Sequence, residues 1–252
     1  MTSIEYALAG VAAAGAGLVN ALAGGGTLIS FPALLGLGVS PIAANVTNAV
    51  ALSPGYFGAT LAQRANLKGQ ERRLWWCIPA AVLGGLAGGI ILLNTHERTF
   101  QQLVPWMLFF AALLLALQGR VRTFVASRLS QHHSRASSVA VAVPVLAAGV
   151  YGGFFTAGMS VIVLAVLGAT VDDTMTRLNA LKQAIAFSVN IAAAIFFLFS
   201  DQLIWPLAAV MAIGAAAGGA LGGRIASRMK PDVLRWIVVI VGFSLAVYYW
   251  VR

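Results

Sequence analysis

The sequence predicts an all-α polytopic membrane protein with two inverted-topology repeats of about five helical segments each. Its 252 residues are 60% hydrophobic and only 9% charged, a balance that suits membrane-spanning helices and not a soluble domain. A glycine-rich interruption follows the first apolar segment, and a weaker copy follows half a chain later. Lysine and arginine cluster in alternate loops. Together these observations predict a broken or short helix after the first segment of each half.

The first repeat is predicted to cover residues 1–118. Its segments are 4–22, the short 27–37, 43–62, 74–93 and 103–117. At about 1.5 Å per residue the second segment covers only half a crossing. Pro41 begins the third segment, and Pro54 predicts a kink in it. The glycine pairs Gly84–Gly85 and Gly88–Gly89 predict a close helix-packing surface on the fourth segment.

The first interruption contains three consecutive glycines, Gly24, Gly25 and Gly26, before a helix restarts at Thr27. Non-helical backbone at membrane depth survives only where protein buries it or where it lines a wet cavity. A helix that restarts there directs free N–H groups and a positive dipole end into the cavity. We therefore expect an anion to bind at this break. Asn20, which precedes the glycines, belongs to the same candidate site.

The second repeat, predicted as 139–252, follows a polar, basic linker at 119–138. Its segments are 139–151, the short 159–167, 175–199, 205–223 and 234–251. Gly152, Gly158 and Gly168 lie 132 positions after Asn20, Gly26 and Gly36. The paired glycines of the fourth segment recur 134 positions later, at Gly218–Gly219 and Gly222–Gly223. Several features that recur in one order predict internal duplication, and Thr156 and Ser160 of the second break join the candidate site.

The positions of the basic residues predict that the second repeat is inverted. If 64–73 is cytoplasmic, then 120–135 and 224–235 fall on the same side after the intervening crossings. The loop at 200–202, which corresponds to 64–73, carries no basic residue. An inverted repeat that obeys the positive-inside rule requires this contrast. We therefore expect a multi-pass protein of the bacterial inner membrane, with both termini on the periplasmic side.

Two cations in the third segment of the second repeat are candidate site residues. Arg177 and Lys182 lie one to two turns inside an apolar segment, where a charge costs about 2.5–3.5 kcal/mol on insertion scales and usually marks function. The alternative is structural, because Asp172 and Asp173 are near enough in sequence to pair with either base. For these two acids, the sequence supports a helix-capping role better than a proton-coupling role.

Uncharged amides lie beside these cations. Asn179 and Gln183 are four residues apart on one helical face, and Asn45 and Asn48 form a similar face in the first repeat. Amides donate to an oxyanion without the desolvation cost of a charge. Hydrogen bonding between helices is the other reading, and the sequence leaves both open.

Three motifs in this order resemble the sulfite exporter TauE/SafE family of bacterial permeases. They are Gly24–Pro32 (GGGTLISFP), Ala44–Gly55 (ANVTNAVALSPG) and Asp172–Lys182 (DDTMTRLNALK). The resemblance covers essentially the whole chain. It implies movement of sulfur-containing anions such as sulfite or organosulfonates across the inner membrane.

The predicted function is therefore a transporter of small sulfur-containing anions, by alternating access around a midplane site between the repeats. A passive anion channel and a transporter of another small organic anion are the alternatives. Cys77 is the single cysteine, and no His, Cys and carboxylate cluster has metal-ligand spacing. We expect no catalysis, metal or cofactor. The expected partners are a small anion and the lipid bilayer, not nucleic acid, and a homo-oligomer is left open.

The topology is testable by cysteine labelling in intact cells. Cysteines placed at positions 2, 96 and 252 should react with a membrane-impermeant reagent, because the clustering of lysine and arginine in the other loops places these positions on the periplasmic side. Cysteines at 68, 130 and 230 should stay unlabelled, because basic loops are retained in the cytoplasm. Labelling of position 68 from outside would contradict the inverted arrangement.

Overall fold

The computed structural model describes residues 1–22, 25–129, 138–225 and 231–251, and the regular structure in these ranges is entirely helical. The helices are α1 Ser3–Leu22, α2 Thr27–Gly36, α3 Pro41–Ala62, α4 Glu71–Leu93, α5 Glu97–Leu129, α6 Ser138–Phe154, α7 Met159–Thr170, α8 Met175–Phe197, α9 Trp205–Ile225 and α10 Pro231–Val251. A short 3-10 helix, Arg64–Leu67, precedes α4. The predicted all-α fold class is confirmed.

Five of the described helices, α4, α5, α8, α9 and α10, are long and apolar enough to cross a membrane. The helices α2 and α7 are short, with 10 and 12 residues, as the interruptions before them predict. Large apolar side chains on the outside of the bundle, such as Trp75, Phe199 and Ile240, are exposed. They would be costly in water and suit the hydrocarbon of a bilayer, so the fold is that of a multi-pass membrane protein.

The fifth helix is longer than the sequence predicts. We expected a segment ending at Leu117 and a polar linker at 119–138, but α5 continues to Leu129. Val125 is fully buried, and a Cβ added at Gly168 of α7 would lie 2.0 Å from its Cγ2 atom. Tertiary packing therefore stabilises the first part of the predicted linker as helix. The remainder, 130–137, lies outside the described residues.

Glycines let two pairs of helices approach backbone to backbone. A Cβ added at Gly218 of α9 would lie 1.9 Å from the carbonyl oxygen of Ala14 in α1, and one added at Gly88 of α4 would lie 2.2 Å from that of Val150 in α6. Such contacts are typical of small-residue interfaces in membranes. The predicted packing role of these glycines is confirmed at both positions.

The helix contacts follow a two-fold pattern. Helix α1 packs against α9 and α6 packs against α4, while α3 packs against α8 and α5 against α10. If each helix is exchanged for the one five places away in the helix order, the pair α1–α9 becomes the pair α6–α4. The pairs α3–α8 and α5–α10 each become themselves. A duplicated chain would pack in this way. The duplication itself, with halves 1–118 and 139–252, stays a prediction.

Substitution of Gly85 tests the packing between helices. Its added Cβ would lie 2.5 Å from the carbonyl oxygen of Val189 in α8, so Gly85→Ala must displace a helix. Overpacking of this kind typically costs about 1–3 kcal/mol. We expect a lower temperature of thermal unfolding in detergent. Gly36→Ala is the matched control, because open space surrounds its Cβ position; equal losses from both variants would contradict the packing assignment.

Candidate functional site

A cavity of about 670 Å³ lies among helices from both halves of the chain. The first half of the chain contributes lining residues from α1, α3 and α5, and the second half contributes them from α7, α8 and α9. Its polar lining residues are Asn20, Tyr56, Gln63, Gln118, Arg122, Ser160, Thr176, Asn179, Lys182 and Gln183. Five predicted site residues are thus brought together: Asn20, Ser160, Asn179, Lys182 and Gln183.

Helix α8 presents the largest group of polar side chains to the cavity. The helix begins where the Thr174 side chain accepts a hydrogen bond from the backbone N–H of Arg177, at 3.4 Å. Thr176, Asn179 and Gln183 then follow at i, i+3 and i+7, which places them on one helical face. Lys182 lies on the edge of this face, and its Nζ donates to Oδ1 of Asn179 at 3.3 Å.

The charge in the cavity is positive. Lys182 is only 9% exposed, and the lining holds a second cation, Arg122, from α5. The lining contains no aspartate or glutamate within the part of the chain that the structure describes. Cations without carboxylates, surrounded by amide and hydroxyl groups, have the chemistry to bind an anion.

Arg122 is the main lining residue that sequence reasoning missed. We placed it in a cytoplasmic linker, whereas the continued helix α5 carries it to the cavity together with Gln118. The two residues are four positions apart and so share a helical face. That spacing, in a stretch without proline directly after an apolar helix, was the available signal. Tyr56 was also missed; it lines the cavity from α3.

Arg177 forms an ion pair instead of lining the cavity. Its Nε atom donates to Oδ1 of Asp173 at 2.8 Å, and its Nη1 atom donates to the carbonyl oxygen of Lys68 at 2.8 Å. Arg73 pairs with the other carboxylate oxygen of Asp173. The structure therefore shows the structural alternative for Arg177, in which it joins the start of α8 to the segment before α4. Lys182 has no carboxylate partner among the described residues.

Asn45 and Asn48, the candidate amides on α3, lie away from the cavity lining. Asn45 donates from Nδ2 to the carbonyl oxygen of Phe154 at 2.8 Å, which satisfies a backbone acceptor at the second break. Asn48 is 1% exposed, and its Oδ1 atom has no hydrogen-bond partner among the described groups. Such an atom is uncommon in a native protein.

The described residues of the two breaks also lie outside the lining, apart from Ser160. Gly24 lies outside the described residues. Gly25 has a φ of +87°, which favours glycine, and a Cβ added at Gly26 would lie 2.2 Å from the carbonyl oxygen of Ala16. Thr27 is buried. In this conformation the first break packs against neighbouring helices.

The second break follows the same pattern. Gly158 has a φ of +80°, and a Cβ added there would lie 2.9 Å from Cδ1 of Leu114. Thr156 is buried, and its hydroxyl donates to the carbonyl oxygen of Gly152 at 3.2 Å. Only Ser160, in the first turn of α7, reaches the cavity from this break.

Comparison with known proteins identifies the same family that the motifs resemble. The family model described as "Sulfite exporter TauE/SafE" matches residues 8–249. A probable membrane transporter protein of Haemophilus influenzae is 25% identical over 91% of this chain and 88% of its own length. The probable membrane transporter protein ORF9 of a Sinorhizobium species is 27% identical, over 94% and 89% of the two chains. The probable membrane transporter protein YfcA of Escherichia coli K12 is 22% identical, over 90% and 82%. No solved structure matches.

The Asp173 ion pair gives a pH-dependent stability. Burial alone would raise the pKa of Asp173, but hydrogen bonds from Arg73 and Arg177 outweigh it and hold this pKa below its ordinary value of 3.8. Because the folded-state pKa is depressed, the stabilisation is present above pH 3.8 and is lost as the pH falls through the folded-state value. We expect Asp173→Asn to unfold several degrees earlier than the wild type at pH 7.

Thermal unfolding in detergent between pH 7 and pH 3 provides the measurement, and the difference from the wild type should shrink at the acidic end. Asp172→Asn removes the same charge one position away without removing an ion pair seen in the described residues. Equal effects of the two substitutions at pH 7 would contradict the assignment.

Proposed function

The chain belongs to the sulfite exporter TauE/SafE family, and we propose that it carries small sulfur-containing anions, such as sulfite or organosulfonates, across the bacterial inner membrane. The family and the related proteins are membrane transporters, which favours transport over catalysis. The observation that carries the choice of an anion is the lining of the cavity, where Lys182 and Arg122 have no carboxylate beside them.

The chemistry of the lining suits an oxyanion. Lysine supplies a compact charge with three donors, and the amides of Asn20 on α1 and of Asn179 and Gln183 on α8 supply further donors. A cation buried within a membrane protein is costly without compensation. An anion that enters the cavity compensates Lys182, so binding is favoured although the anion loses water.

Alternating access is supported by a comparison of the residues that line the cavity with the corresponding residues in the other repeat. Residues 134 positions apart correspond in α3 and α8, so Asn179 corresponds to Asn45 and Lys182 to Asn48. Both first-repeat amides are at most 2% exposed. Tyr56, which lines the cavity, corresponds to Asn190, which is 1% exposed. We propose that one half-site is open and its counterpart closed, and that exchange between them moves the anion.

The cavity lies toward the predicted cytoplasmic side. Its lining includes Ala62 and Gln63, directly before the basic segment 64–73, and Thr176, in the first turn of α8. If the positive-inside rule holds for this segment, the conformation is open to the cytoplasm. In the opposite conformation the buried Oδ1 atom of Asn48 would gain access to water, which would donate a hydrogen bond to it.

Substitution of Lys182 tests this function in proteoliposomes. We expect Lys182→Ala to raise the substrate concentration for half-maximal flux about tenfold, which corresponds to about 1.4 kcal/mol, because the buried charge that compensates the anion is lost. Lys182→Arg should keep binding but slow turnover, since a bidentate grip releases the anion less readily. Flux of radiolabelled sulfite, sulfate and organosulfonates, with and without imposed pH and sodium gradients, provides the measurement.

Two results would redirect the proposal. Unsaturable flux with large single-channel currents would indicate a passive anion channel. Unchanged affinity in Lys182→Ala with lowered thermal stability would make Lys182 a structural residue. Lys68→Ala is the control for loss of a positive charge, because the Lys68 side chain is exposed outside the cavity.

A further inference from the structure

We propose that Arg122 is a second substrate-binding cation and that, together with Lys182, it makes the cavity select anions with two negative charges over anions with one. This inference rests on the proposed function, because it specifies the charge of the anion that the same cavity carries. It adds a residue from α5 and a selection rule that follows from the lining.

The two cations reach the cavity from opposite halves of the chain. Arg122 extends from α5 and Lys182 from α8, and both line the same cavity. Among the described residues, the Arg122 guanidinium has no hydrogen bond or ion pair with a protein group. Arg73 and Arg177 differ in this respect, because both pair with Asp173. The cavity therefore contains two uncompensated positive charges.

Charge balance then determines which anion is favoured. Two cations that line one cavity repel each other, and a single negative charge leaves one of them uncompensated. An anion with two negative charges compensates both, so its advantage is largest where water is excluded.

The placement of the cations favours charges at the two ends of a small molecule. Lys182 is 9% exposed, whereas Arg122 is exposed, so one cation lies deep and the other near the opening. A guanidinium presents a planar fork that matches a carboxylate or sulfonate in a bidentate manner. The cavity volume of about 670 Å³ lies within the range of small-molecule sites and admits an organic anion larger than sulfite.

Two-carbon sulfonates of similar size provide a series that varies in charge. Sulfoacetate carries two negative charges at neutral pH, isethionate carries one, and taurine is a zwitterion without net charge. In proteoliposomes the wild type should take up sulfoacetate with a half-saturation concentration about tenfold lower than isethionate, or about 1.4 kcal/mol in binding. Taurine should compete with neither.

The substitution Arg122→Gln removes the charge and keeps a hydrogen-bonding side chain. We expect it to raise the half-saturation concentration for sulfoacetate about tenfold and to leave that for isethionate nearly unchanged, so that the preference disappears. Arg122→Lys should retain the preference, because the charge is retained. The matched control is Arg120→Gln, since Arg120 lies two positions away on α5 but lines a separate surface groove with Arg235 and Trp236.

The outcomes separate this inference from the proposed function. Saturable anion flux in the wild type without a preference for sulfoacetate would overturn the inference alone, whether or not the Arg122 variants fold. The same ratio in Arg122→Gln as in the wild type, or an equal loss in Arg120→Gln, would also overturn it. Absence of flux for every sulfur-containing anion in the wild type would overturn both.

Discussion

Compensation of charge inside an apolar bundle is the constraint on which the rest of the structure depends. The described part of the chain contains few acids, and Asp173 engages two of the cations, Arg73 and Arg177. That triad joins the start of α8 to the start of α4 and fixes the end of the bundle beside the cavity. Lys182 and Arg122 remain without a carboxylate. Because an uncompensated charge buried as deeply as Lys182 is costly, the proposed anion would stabilise the arrangement when it occupies the cavity.

The glycine contacts are as close at the helix pair beside the cavity as at the corresponding pair away from it. Helix α1 meets α9 so closely that a Cβ added at Gly17 would lie 2.1 Å from the carbonyl oxygen of Ala215, and both residues line the cavity. The corresponding pair, α4 and α6, meets as closely, with a Cβ added at Gly153 lying 2.2 Å from the carbonyl oxygen of Gly85, yet neither lines it. Each of the two helix pairs is thus packed backbone to backbone, and the cavity lies beside one of them. Rigid pairs that move against the remaining helices suit a transporter that exposes its site to one side at a time.

Most of the helices and part of the site could be predicted from the sequence, because apolar length and the cost of intramembrane charge are local properties. They give the helix order and direct attention to Lys182, Asn179 and Gln183. The extension of α5 could not be predicted, since it depends on Val125 packing against Gly168 across the bundle. Arg122 was missed for that reason. The partner of Asn45 is the carbonyl of Phe154, 109 positions away, and a contact at that separation leaves no local pattern.

The two predicted repeats differ in charge at one position of the candidate site. Asn45 and Asn179 correspond as amides, but Lys182 corresponds to the uncharged Asn48. Under the proposed exchange, the half-site open in this structure presents a buried cation, whereas its counterpart would present an amide in the same position. An anion would then bind more tightly in the conformation seen here than in the opposite one, since the charge–charge attraction is larger than hydrogen bonding to a neutral amide. A difference in affinity between two conformations shifts their populations. The divergence of one residue between the repeats would therefore make the anion easier to release from the opposite conformation than from the one seen here.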